Sequence, residues 1–150
     1  MPTYEEILAA IVRVEQLVCR TDVPTVVTAR VLRITRVLRE LLPRLSHLGL
    51  GSWDAYSVMA TATDYLPEAV NAYLRLPRNW ADTRPISNGK TSLMLLVEQL
   101  ELLTTTVDEL FDAAVRQDAN DLVVHGLFLK ERFAAGVEVE NLTEQAGVQP

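Results

Sequence analysis

One cysteine and two histidines are the whole stock of thiol and imidazole side chains in a chain of 150 residues. With Cys19 alone no internal disulfide can form, and no Cys-x-x-Cys pair exists to hold a metal. The thiol is expected to fill core space. Lysine is scarce too, only Lys90 and Lys130 among 14 basic residues, and these face 20 acids. The resulting charge of -6 disfavours general nucleic-acid binding. No apolar run approaches the roughly 18 to 20 residues that span a bilayer. The opening Met-Pro-Thr-Tyr-Glu-Glu lacks the basic start and apolar centre of a signal peptide, so a cytoplasmic location is expected.

Chemical motifs are equally sparse. Gly89-Lys90-Thr91 imitates the end of a phosphate-binding loop, but Arg84 stands where that pattern needs glycine and no strand precedes it. Thr91 is therefore read as a helix cap. Asp121 and His125, four apart, share a helix face that Asp118 could join, yet the Glu-x-x-His pairs of di-iron bundles are missing. His125 is expected to be a hydrogen-bonded structural residue, and His47 to complement a helix C-terminus. Neither cofactor, metal nor catalytic residue is assigned, and the chain is not expected to be an enzyme.

What is present is helical periodicity. Thr3 and Glu6 form a capping box ahead of Ile7, Ile11, Val14 and Val18, and Thr21-Asp22-Val23-Pro24 ends that helix. A second runs from about Thr25 to His47, with Pro43 kinking or ending it early. Gly49-Leu50-Gly51 breaks the chain before a third, capped by Ser52. At Tyr65-Leu66-Pro67 that pattern is read as one helix to about Asp64 and another from Pro67 to Leu76, a single kinked helix being the alternative. Residues 77–90, with two prolines and Asn88-Gly89, form the only long loop, irregular and not helical.

Leu93, Leu96, Leu100, Leu103, Val107, Leu110 and Ala114 then recur at steps of three and four, a seam every 3.5 residues. Because Val97, Leu102 and Phe111 widen the stripe, a bundle-core helix is preferred to an intermolecular coiled coil, though one helix could serve both. Asp118 to Asp121 is expected to break it before a last helix through Leu122, Leu127, Leu129 and Phe133. The expected fold is all-α: a bundle of about five helices over residues 1–135. Its long heptad-patterned helix, 91–117, lies in a C-terminal helical hairpin, and an acidic, partly disordered tail follows at 136–150.

Charge is uneven. Helix two carries Arg30, Arg33, Arg36, Arg39 and Arg44, whereas 98–121 holds seven acids and only Arg116. Steps of three fan the arginines over the solvent half of the helix, a solvated face by default. The functional options are pairing within the chain, head-to-tail assembly or an anionic partner.

The stretch Asp64-Tyr65-Leu66-Pro67-Glu68-Ala69-Val70-Asn71-Ala72-Tyr73-Leu74-Arg75-Leu76, with the loop and helices after it to Phe133, resembles helical proteins of the chloroindolyl-phosphate-hydrolysis family. Related regions accompany bacterial tellurite and toxic-anion resistance proteins. The resemblance covers residues 64–133 and implies an α-helical bacterial protein linked to envelope stress. It carries over Tyr65, Leu66, Pro67, Tyr73 and Leu76 as structural positions only, none catalytic. Such relatives often look membrane-attached at the N-terminus, where this chain has an amphipathic helix, Thr3 to Cys19.

These features lead to a non-enzymatic scaffold or adaptor that works through protein contacts, as a homo-oligomer or with another protein. Its interaction candidates are Arg30, Arg33, Arg36, Arg39, Trp80, Val97, Leu102 and Phe111. A small-ligand or anion-responsive regulator, with a pocket near Trp53, Tyr56, Tyr65 and Tyr73, is the alternative. A further one is binding of nucleic acid or anionic membrane through helix 25–47. Neither partner is expected, apart from peripheral membrane contact.

Overall fold

A computed structural model describes the backbone of residues 3–47 and 52–148 and the side chains of residues 3–45 and 57–134. Among these residues there are five α-helices: α1 (Tyr4–Arg20), α2 (Thr25–Leu41), α3 (Ser52–Leu74), α4 (Arg78–Thr83) and α5 (Ser92–Val148). A 3-10 segment, Leu42–His47, follows α2, and strands β1 (Pro85–Ser87) and β2 (Lys90–Thr91) pair antiparallel. The class is all-α, as the periodicity predicts. The chain divides into two units, Met1–Ala114 and Val115–Pro150.

In the first unit α1 packs on α2 and α3. Thr3 accepts from the Glu6 amide while the Glu6 carboxylate accepts from the Thr3 amide, so the capping box forms as its spacing requires. Ile7, Ile11, Val14 and Val18, each 2% exposed or less, turn one stripe inward. Cys19 lies one residue beyond that stripe and is exposed, which corrects its expected place in the core. Pro43 ends the α-helical part of α2, and the chain continues as the 3-10 segment that packs on α3. The Gly49-Leu50-Gly51 break and the side chains of His47, Ser52, Trp53 and Tyr56 lie outside the described residues.

Pro67 does not divide α3. Met59, Ala62, Leu66, Val70 and Tyr73 form one buried stripe on both sides of it. Each large apolar side chain buried adds on the order of 1.5–3 kcal/mol, so together they offset the roughly 3 kcal/mol that an internal proline costs. The expected loop 77–90 is structured as well: it holds α4 and the hairpin. Asn88 and Gly89 have φ of 52° and 75°, which suits the two-residue turn that Asn-Gly favours.

From Thr91, whose hydroxyl accepts from the Met94 amide at 3.2 Å, α5 starts as the capping argument predicts. Leu96, Leu100, Val107 and Ala114 are core residues, with Leu93, Leu103 and Leu110 packed against them. The seam of the first unit is thus a core stripe.

The expected break at 118–121 is absent, and with it the C-terminal hairpin: α5 is helical from Ser92 to Val148. Asp118, Asn120 and Asp121 each cost only tenths of a kcal/mol inside a helix, and no proline falls in this stretch. The second unit begins at Val115, within this helix. The tail expected at 136–150 has a helical backbone to Val148, and its side chains lie outside the described residues.

Candidate functional site

The arginine fan on α2 is engaged within the first unit. Arg30 donates through Nη2 to Glu101 at 3.0 Å and through Nη1 to the Val26 carbonyl at 3.0 Å. Arg33 reaches Asp108 at 3.2 Å. Arg39 grips Glu15 of α1, which also accepts from the Thr35 hydroxyl at 3.1 Å. The Arg39 hydrogen bonds hold the Glu15 carboxyl below its ordinary range despite partial burial, and raise the Arg39 guanidinium in return. Arg36 is exposed. Of the readings open for these charges, pairing within the chain is what the geometry displays, and three of the four arginine candidates take part in it.

Other expected residues scatter. Val97 and Phe111 are partly buried against the core, and the Arg44 guanidinium lies 5.6 Å from the Phe111 ring centroid. Trp80 is on α4, not in a loop, and remains 36% exposed. Tyr65 and Tyr73, expected to share a pocket, have separate surroundings. The Tyr73 hydroxyl donates to Asp82 at 2.5 Å, and Asp82 also accepts from Arg78 at 3.1 Å. Burial first, and the Asp82 carboxylate second, push the Tyr73 phenol up to about 12. That cluster ties α3 to α4 and, through the bond from Arg78 to the Asp22 carbonyl, to the turn before α2.

Tyr65 instead lines an apolar groove of about 510 Å³ between α3 and α5, with Val58, Ala62, Leu102 and Leu103. Its hydroxyl donates to Gln99 across the groove, and burial raises its phenol above the ordinary value. Leu102, at 70% exposure, is the least covered large apolar side chain of the first unit's α5 segment.

A further exposed apolar stretch belongs to the second unit. Leu122, Val123, Val124, Leu127, Phe128, Leu129 and Phe133 are between 52% and 74% exposed. These residues point around the helix, a pattern usual for a buried helix and not for a solvated one. Reading Leu122, Leu127, Leu129 and Phe133 as the packed side of a hairpin missed this. The signal available was the run Leu122-Val-Val-His-Gly-Leu-Phe-Leu129 itself, apolar on every side.

His125 and Asp121 are exposed on this helix, so the structural, hydrogen-bonded histidine is not found. Among the described residues no group of three or more His, Cys, Asp or Glu side chains could hold a metal ion. Lys90 of the phosphate-loop imitation sits in β2 and pairs with Glu98 at 2.5 Å. No described helix is long and apolar enough to cross a membrane. Scans against family models, curated proteins and solved structures each return no match.

Proposed function

We propose that this chain is a non-enzymatic helical scaffold or adaptor of the bacterial cytoplasm that acts through protein–protein contacts. The observation that carries this reading is the seven large apolar side chains left more than half exposed between Leu122 and Phe133. Contiguous apolar surface of this kind marks interaction sites in folded proteins. The resemblance around Tyr65-Leu66-Pro67 would place the scaffold in a stress-related system. The arginines of α2 are surface and assembly charge within the unit, so binding of nucleic acid or anionic lipid has no support from them.

The test is photo-cross-linking in cells with a photoreactive amino acid at Leu127, on the full chain. A discrete protein adduct that disappears when Val124 and Phe128 are both changed to Asp supports the reading; a chain that forms no adduct overturns it. A second reading, a small apolar ligand, is favoured by the groove at Tyr65 and Leu102. Thermal shift against a metabolite panel should then give a hit that Leu102→Glu abolishes. A panel without a hit removes it.

A further inference from the structure

The register of apolar residues slips once along α5. The seam of the first unit ends at Ala114, which is 2% exposed. A second seam starts one residue later: Val115, Ala119, Leu122, Gly126, Leu129 and Phe133, spaced four, three, four, three, four. That alternation gathers them on one side of a helix and is the spacing by which two helices interlock. Leu122, Leu129 and Phe133 on it are 74%, 52% and 69% exposed, and a Cβ built on Gly126 would meet nothing within 4 Å.

We propose that this second seam pairs with the same seam of a second copy, the two helices running antiparallel. The inference rests on the scaffold reading and names one partner for it. Size decides the direction. When the helices run oppositely about a centre near residue 124, Leu122 meets Gly126 of the second copy, Ala119 meets Leu129, and Val115 meets Phe133. Each layer then joins a larger side chain to a smaller one, which is how cores fill without voids. In a parallel pair Gly126 and Ala119 face themselves and leave gaps, while Phe133 crowds Phe133.

Charge supports the same choice on one flank, where Asp118 of each copy stands level with Arg132 of the other, and the pair occurs twice by symmetry. The other flank sets Arg116 level with Lys130, both long and able to splay into water. With Val123 at 59% exposure beside the seam, the pair hides on the order of 600 Å² per copy. That reaches the lower end of specific interfaces, about 1,200 Å² in total. Val124, Leu127 and Phe128 lie on the opposite side of the helix and stay available to another protein.

The experiment uses the full chain with Cys19→Ser, which removes the exposed native thiol, and adds single cysteines at exposed positions. Antiparallel pairing brings residue 125 beside its own copy across the twofold axis. It separates the two copies of residue 119 by about 15 Å along the helices. A short bismaleimide should therefore link His125→Cys into dimers and leave Ala119→Cys as single chains, and Leu122→Arg should weaken dimerisation at least 100-fold with helicity unchanged. Ready linking of Ala119→Cys without His125→Cys overturns the antiparallel assignment. Light scattering that returns the single-chain 16.7 kDa over the micromolar range overturns self-pairing altogether, and the cellular adduct at Leu127 still decides the scaffold reading by itself.

Discussion

The two parts of α5 carry similar apolar residues at similar spacing and meet opposite fates. Before residue 115, Leu100 and Val107 are fully buried; after it, Leu122 and Phe133 are 74% and 69% exposed. Spacing makes a stripe in both places, but only in the first unit do α1, α2 and α3 build a core for that stripe to join. The lesson concerns the hydrophobic effect: a sequence can prepare an apolar face, and burial still requires a second surface.

The largest test of this contrast is truncation. Leu100→Ala should lower the unfolding free energy by about 2–5 kcal/mol, while Leu122→Ala, at concentrations where the chain is a monomer, should change it by no more than about 0.5 kcal/mol. Urea titrations measure both, and equal losses at every protein concentration would erase the distinction between the two parts. At the start of the buried part, Thr91→Ala should remove about 1 kcal/mol by uncapping α5, read from the same transition.

The core side of the contrast can be sharpened with pH. The Tyr73 phenol is raised to about 12 in the folded chain, against about 10 unfolded. Its contribution is therefore complete below pH 10 and is lost as pH rises towards 12. Tyr73→Phe should be the less stable protein at pH 9, by roughly 1 kcal/mol, and should lose less than the parent chain between pH 10 and 11.5. Glu15 has the reverse sign. Its folded carboxyl titrates below the ordinary value of 4.5, so its stabilisation is present above that pH and fades as pH falls through the lower folded value. The advantage of the parent chain over Glu15→Gln should accordingly shrink below about pH 4.5 in acid unfolding.

The smallest effect belongs to the surface ions between α2 and α5. Arg30 and Glu101 are both substantially exposed, 33% and 59% at the side chain, and a double-mutant cycle should give a coupling of about 0.5 kcal/mol or less. Added salt should diminish it further. A coupling near 2 kcal/mol would mean that charge, as much as the leucine stripe, holds the first-unit part of α5 in place beside α2.

Much of the fold is legible in particular residues. Thr3, Glu6, Pro43 and Thr91 act within a few residues of their own position, so the helix ends they set follow from local chemistry. Pro67 and Asp118 to Asp121 misled because their local cost is small against what surrounds them: the buried stripe of α3 overrides the proline, and isolated Asp and Asn do not stop a helix. The hairpin is legible in Asn88-Gly89, the dipeptide a two-residue hairpin turn favours, but beside two prolines the same dipeptide also fits an irregular loop, and local chemistry does not separate the two. For the candidate surface, Leu102, which widens the stripe in sequence, stands 70% exposed, and Leu122 to Phe133, which the spacing places in a helical hairpin, lie on one continuous helix, α5.

By itself, then, the sequence determined that the chain is helical, where its first helices are capped, and which residues share a face, because these depend on interactions over one or two turns. Only the tertiary structure decided that the arginines of α2 answer Glu15, Glu101 and Asp108, that Cys19 looks outward, and that the apolar stripe is covered up to Ala114 while the large apolar side chains from Leu122 to Phe133 are exposed. Those outcomes depend on which distant segments meet, and no local spacing contains that information.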